Sequence, residues 1–203
     1  MNRKILAGLI GISASAFSSF ALASEPETHD GFFFQGNIGG GYLSTSSGDG
    51  AGDLTISGPA VAGGLLFGGT ISPGLVIGGG TANSVALGPK IKFGEREVDS
   101  DAVDVSLNLS TIGPFVTFYP DPHGGLSLHA MVSYGVVSIT VEDEQSDDNP
   151  TGVALTGGVG YDFWVAPEWS VGVFGRFTYA PLKYEDETFT TLAPSLLATF
   201  SYH

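Results

Sequence analysis

Ser127, His129 and Ser133 recur at every second position of one short stretch, so a β-strand there puts all three on one face. Serine beside histidine is the material of a nucleophile and its general base, if the two touch and an acid orients the imidazole. Ser127 and His129 are next-but-one neighbours, about 7 Å apart along a strand, which does not favour contact. The other histidines stand apart: His29 precedes the first strand, His123 sits in a turn and His203 follows the last strand.

A second constellation is electrostatic. If the turn at 167–169 pairs the two strands around it, Asp162 falls opposite Phe174 and Arg176 opposite Gly160, all on the inner face. His129 reaches a similar height from the preceding strand. Buried charges need partners, so His129, Asp162 and Arg176 are expected as one charged interior cluster, with Gln35 and Asn37 beside it. Its expected role is structural, not catalytic. The segment Ser47-Gly48-Asp49-Gly50-Ala51-Gly52-Asp53 is one glycine–aspartate copy where calcium sites need stacked repeats, so it reads as a loop. No glycine-rich phosphate loop and no metal-spaced histidine cluster occurs, and no cofactor or metal is expected.

Eight stretches must position these residues. They are read as strands near 32–42, 54–69, 75–87, 103–118, 126–141, 153–165, 170–180 and 190–202. Most alternate an apolar set with a small or polar one. Phe32, Phe34, Ile38 and Tyr42 oppose Gln35, Asn37, Gly39 and Gly41. Leu126, Leu128, Ala130, Val132, Tyr134 and Val136 oppose Ser127, His129, Met131, Ser133 and Gly135. In the fourth stretch Val103, Val105, Leu107 and Leu109 oppose Asp104, Ser106, Asn108 and Ser110, and the second is ambiguous. Such alternation is written for a closed β-barrel with apolar residues outside and small or polar ones inside. Gly113-Pro114 predicts a bulge, because proline cannot donate to a ladder.

The connections sort into two kinds. Short turns fall at 70–74, 120–124 and 166–168; more polar connections fall near 44–53, 88–102, 142–151 and 183–188. Fifteen of the 21 acidic residues sit in or beside the second kind: Asp49, Asp53, Glu95, Glu97, Asp99, Asp101, Asp104, Glu142, Asp143, Glu144, Asp147, Asp148, Glu185, Asp186 and Glu187. Three short turns and four long loops suit eight strands with both ends on the short-turn side.

Composition narrows the compartment. Arg3 and Lys4 precede an apolar run that ends Ala21-Leu22-Ala23, the order of a cleavable signal peptide. Residues 1–23 are therefore expected as a signal peptide and 24–203 as one barrel domain. Losing the leader leaves five basic residues against 21 acidic ones, which excludes nucleic acid as a partner. Cysteine is absent, so disulfides and a lipid-modified cysteine anchor are excluded. Only 14% of residues are charged, low for a soluble secreted domain, and 31 glycines oppose a helical fold.

Three segments then resemble the outer membrane β-barrel domain superfamily, with its small eight-stranded OmpA-, OmpX- and OmpW-type barrels: Gly31-Phe32-Phe33-Phe34-Gln35-Gly36-Asn37-Ile38-Gly39-Gly40-Gly41-Tyr42, the hairpin Gly68–Gly79 and Gly113-Pro114-Phe115-Val116-Thr117-Phe118-Tyr119-Pro120. The resemblance covers 31–203. It implies an all-β, eight-stranded antiparallel up-and-down transmembrane barrel in the outer membrane of a Gram-negative envelope. It implies outer membrane lipid, lipopolysaccharide and the barrel insertion machinery as partners. Family members usually end on an aromatic residue that this machinery reads; here Phe200 and Tyr202 keep the period-two aromatics and His203 follows. The expected function is a structural or surface-interaction role through acidic outer loops, with extracellular basic proteins or cations as partners. The alternatives are a narrow channel for small hydrophobic molecules and a lipid A-modifying enzyme. The enzyme needs its serine–histidine pair on the lipid side, whereas this parity faces inward.

Overall fold

A computed structural model describes residues 28–29, 31–47, 54–93, 96–98, 105–141, 144–145, 149–185 and 187–203. The expected leader lies outside them. So do eleven of the fifteen loop acids, all but Glu97, Glu144, Glu185 and Glu187, and nearly all of the 47–53 segment.

Eight long strands form the wall: β1 (Phe32–Ser47), β2 (Leu54–Ser72), β3 (Leu75–Leu87), β6 (Val105–Phe118), β7 (Leu126–Val141), β9 (Thr151–Ala166), β10 (Trp169–Tyr184) and β11 (Glu187–Tyr202). Short strands β4 (Lys90–Phe93), β5 (Arg96–Val98) and β8 (Glu144–Gln145) decorate the loop end. Each wall strand pairs antiparallel with the next, and β11 closes on β1, so the eight-stranded wall has no free edge. Closure gives every wall strand a partner on both sides, as a lipid environment demands.

The strands run farther than their apolar alternation. On β1 the outward apolar residues stop at Tyr42, but the strand continues to Ser47; β10 and β11 likewise extend to Tyr184 and back to Glu187. The span from Phe32 to Tyr42 matches the ~9–11 residues of a tilted membrane strand. The overhang lies beyond it. β4 prolongs β3 after Gly88, whose φ of 59° takes up a one-residue slip against β2.

Three expectations need correction. On β6 the apolar residues Val105, Leu107 and Leu109 face inward and Ser110 faces outward, the reverse of the lipid-facing rule. Parity does not change along β6; the side-chain types exchange faces. Below Ser110 the outward set becomes Ile112, Pro114, Val116 and Phe118. The upper part of β6 packs against the apolar core at the loop end of the barrel, so its apolar side turns in. Second, Gly113-Pro114 makes no bulge. The register to β3 and β7 is constant across it; Pro114 pairs with Gly79, and only the β7 side loses ladder contact. Third, Asp162 stands opposite Gly172 and Arg176 opposite Gly158, because the turn is only Pro167-Glu168 and the register shifts by one further residue between Trp169 and Ser170.

The interior is layered. At the loop end Leu43, Ile56, Leu107, Leu109, Val137 and Leu182 pack with alanines from five strands. The middle holds Ala62, Phe174 and Leu197 among polar groups. At the turn end Phe33, Leu66, Val76, Phe115, Tyr119 and Met131 form a second apolar cluster. An eight-stranded barrel has an interior just wide enough for such filling.

Candidate functional site

All five expected interior residues point inward and are buried: Gln35, Asn37, His129, Asp162 and Arg176. They do not meet in one charged network. His129 lies directly opposite Thr117 in the β6–β7 ladder, and its Nδ1 is 2.9 Å from the Thr117 hydroxyl. Phe115 stacks on its ring at 5.4 Å and Phe174 meets it edge-on at 5.5 Å. Asp162 accepts from the Tyr119 hydroxyl and the Thr199 hydroxyl, each at 3.2 Å. Arg176 donates to the carbonyls of Gly63 and Asn83 on the opposite wall. Gln35 donates to Ser201 at 3.1 Å. Hydroxyls and carbonyls therefore do the work that the sequence reading gave to countercharges.

The serine–histidine constellation is not assembled. Ser133 donates to the Ala154 carbonyl, and His129 Nδ1 engages the Thr117 hydroxyl and neither serine. Thr117 is itself buried and faces the interior, away from lipid. A cavity of about 10 Å³ lies beside His129, bounded by Ser127, Gly160 and Asp162, room for one water.

Sequence reasoning missed a cluster at the turn end. His29 and His203, set aside because they flank the strands, meet with their Nδ1 atoms 2.9 Å apart. His29 Nε2 donates to the Gly124 carbonyl at 2.9 Å, and His203 Nε2 lies 3.1 Å from the Ser170 hydroxyl. Tyr119 stacks on His29 at 3.5 Å, and Trp164 flanks both rings. Main-chain bonds hold the two segments, His29 N to Pro122 O and His203 N to Glu168 O. Burial lowers His29 to about 4, opposed by its Gly124 bond and by Asp121. Burial, then repulsion from His29, lowers His203 to about 3. Both rings are neutral at neutral pH. Only closure of β11 on β1 brings residues 174 positions apart together, so no local motif signals the pair.

The outer wall shows a continuous apolar belt. Phe32, Ile38, Phe67, Ile112, Tyr134, Val159 and Leu196 all lie exposed on it. At the turn-end rim Trp169 stacks on Phe200 at 4.6 Å and meets Tyr202 at 4.9 Å. The Tyr202 hydroxyl donates to Glu168 at 2.7 Å. An apolar belt edged by aromatics is the outer surface of a lipid-embedded barrel.

The model of the outer membrane protein beta-barrel domain matches residues 5–200. The chain belongs to that family. Among curated proteins, none matches the sequence. Several solved structures are similar to this chain. Neisserial surface protein A is 15% identical, with a TM-score of 0.56, covering 84% of this chain and 96% of that one. The attachment invasion locus protein of Yersinia pestis, in complex with a heparin analogue, is 14% identical with a TM-score of 0.49, covering 83% and 99%. OprG from Pseudomonas aeruginosa is 10% identical with a TM-score of 0.48, covering 88% and 100%. This outer membrane barrel therefore has its short turns, with the His29–His203 cluster, toward the periplasm and its overhang toward the exterior.

Proposed function

We propose that this outer membrane barrel is a filled, surface-displaying protein whose business lies on its extracellular overhang. The observation behind the reading is the exchange of faces along β6 at Ser110. Above the belt β6 turns polar outward at Ser106, Asn108 and Ser110, and the barrel there encloses an apolar core of Leu43, Ile56, Leu107, Leu109, Val137 and Leu182. That core makes the overhang a rigid platform. The loops it supports hold most of the chain's acidic residues. Acidic loops fit basic proteins, peptides or cations, with salt-sensitive binding. The polar interior residues His129, Asp162, Arg176, Gln35 and Asn37 serve folding in this reading. Phe200 and Tyr202 serve insertion into outer membrane lipid.

The test neutralises the loop acids Glu95, Glu97, Asp99 and Asp101 to amides and measures capture of a basic peptide by whole cells. Capture is expected to fall with the substitutions and with added salt. Equal capture by the parent and neutralised chains would place the role elsewhere.

A second reading rests on a separate observation. Leu54, Ile56, Val137, Ile139, Pro150 and Phe189 line a mostly apolar cavity of about 60 Å³ at the outer mouth, the start a narrow path for small hydrophobic molecules requires. The β1–β11 ladder is also interrupted at Tyr42 and Leu43, opposite Pro194, which has no N–H to donate. Uptake of a small apolar dye into vesicles bearing the barrel separates the two readings. Uptake that Ile56→Trp abolishes supports the path; its absence supports the platform.

A further inference from the structure

The hydrogen bonds at the periplasmic end allow one arrangement of protons when both rings are neutral. A carbonyl only accepts, so His29 Nε2 carries a proton for Gly124. Neutral His29 then accepts at Nδ1, and His203 must donate from its own Nδ1 across 2.9 Å. His203 Nε2 is left to accept from the Ser170 hydroxyl. The chain runs one way, from Ser170 through His203 and His29 to Gly124. It ties the segment before β1 and the residue after β11 to the β6–β7 turn and the start of β10.

We propose that the His29–His203 pair is an acid-sensitive latch that holds the periplasmic end of the barrel closed and releases both flanking segments when the two rings are protonated. One proton can be accommodated. His29 would then donate from both nitrogens, and His203 would accept at Nδ1 and donate from Nε2 to the Ser170 oxygen. A second proton sets N–H against N–H across the same short contact and places two cations ring to ring.

The surroundings offer the cations little. Tyr119 covers one face of His29, with its hydroxyl committed to Asp162, and Phe33 and Trp164 pack on His203. From the β6–β7 turn Asp121 favours a charged His29, and His123 opposes it. From the β9–β10 turn Glu168 gives His203 its main-chain carbonyl, while its carboxylate engages Tyr202.

The direction with pH follows. Released into water, each ring returns to an ordinary pKa near 6.5, above its latched value of about 4 or about 3. The open form therefore binds more protons below that pH. The latch is fully stable above about pH 6.5 and loses stability as pH falls toward the latched values. Well below pH 6.5 each ring shifts the balance by up to about tenfold per pH unit, and two rings give roughly seventyfold more open form at pH 5.5 than at neutrality.

Trp164 and Trp169 are the two tryptophans, and Trp164 lies within 5.0 Å of both rings, centroid to centroid. Trp169→Phe leaves Trp164 as a sole reporter. The full chain, refolded into phosphatidylcholine vesicles, is followed from about pH 8 to pH 5 by Trp164 emission and by exchange of the His203 amide, corrected for intrinsic rates. Both are expected to change below about pH 6.5, with opening rising roughly thirtyfold from pH 6.5 to 5.5 and more steeply below. The variant His29→Phe/His203→Phe fills the space without titrating and should lose this dependence. If it fails to insert, His203→Gln leaves one ring and should halve the logarithmic slope. Flat exchange across the range, a slope unaltered in His203→Gln, or a dependence that survives in the double variant and vanishes in His123→Asn would overturn the latch.

Discussion

Arg176 Nη1 lies 3.2 Å from the carbonyl oxygen of Gly63, on the far side of the barrel. Its Nη2 lies 3.0 Å from the Asn83 carbonyl. Gly63 and Asn83 form the last β2–β3 pair before a gap; pairing resumes at Leu66 and Gly80. Side chains patch this gap. The Thr81 hydroxyl accepts the Leu65 N–H at 3.3 Å, and the Thr111 hydroxyl donates to the Ala82 carbonyl at 2.7 Å. Arg176 thus acts as a clasp on a local break in the wall, and its charge is met by backbone dipoles.

Removing that clasp should be costly. Two charge-assisted bonds are each worth about 1.5–3 kcal/mol, and Arg176→Met leaves two carbonyls at the seam without their donor. We expect a loss of about 3 kcal/mol or more in urea unfolding from vesicles. Arg176→Lys should recover only part, because an ammonium lacks the planar fork that reaches both oxygens. Full stability of the Met variant would show that the seam does not need a clasp.

Asp162 gives a contrasting case. Its partners are two hydroxyls, Tyr119 and Thr199, not Arg176. Asp162→Ala should therefore cost about 1–3 kcal/mol, the penalty for unpaired buried donors, and should leave the Arg176 bonds intact. Asp162→Asn keeps one acceptor oxygen and should fall between. Gel mobility of unheated and heated samples across temperature ranks the three chains. Equal losses for Asp162→Ala and Arg176→Met, non-additive when combined, would restore a coupled charged cluster.

The difference between expectation and structure has a physical origin. Alternation marked β7 from Leu126 to Val136, where one face carries the apolar belt; above it Val137 and Ile139 turn into the loop-end core beside the upper part of β6. At β6 alternation located the strand but not its faces, since Val105-x-Leu107-x-Leu109 reads alike whether lipid or a packed core receives it. The interior residues were legible from parity, their partners were not. Carbonyls such as Gly63 and Asn83 leave no mark in a sequence, and a two-residue turn followed by a one-residue register shift at Trp169 moved the partners of Asp162 and Arg176 by two places. His29 and His203 were invisible as a pair because only barrel closure joins them.

Glu185 has φ of 51°, a left-handed backbone without glycine's freedom, in the tight connection where Tyr184 pairs with Glu187. A side chain there costs about 1 kcal/mol. Glu185→Gly should stabilise the barrel by up to about that amount, and Glu185→Val should destabilise it, β-branching being worst at this geometry. Urea midpoints for the three chains decide it. A Gly variant less stable than the parent would mean that the Glu185 side chain supports the turn.

The exchange of faces on β6 makes a prediction that stability measurements cannot mimic. The chain has no cysteine, so a single introduced thiol reports its own surroundings. Ser106→Cys and Ser110→Cys lie on the outward parity of the overhang; Ile112→Cys and Val116→Cys continue the same parity down the wall. If the belt ends between Ser110 and Ile112, a charged, membrane-impermeant maleimide added to intact cells should label the first two and leave the second two unmodified. Detergent extraction with a small neutral maleimide should then label all four, which excludes steric protection. Labelling of Val116→Cys from outside would raise the water boundary's depth and remove the overhang. Protection of Ser106→Cys would place lipid against the polar face, which serine and Asn108 resist because lipid offers them no hydrogen-bond partner. The boundary predicted on this strand rests on the change from the hydroxyl of Ser110 to the apolar, 62% exposed side chain of Ile112 one outward step below it.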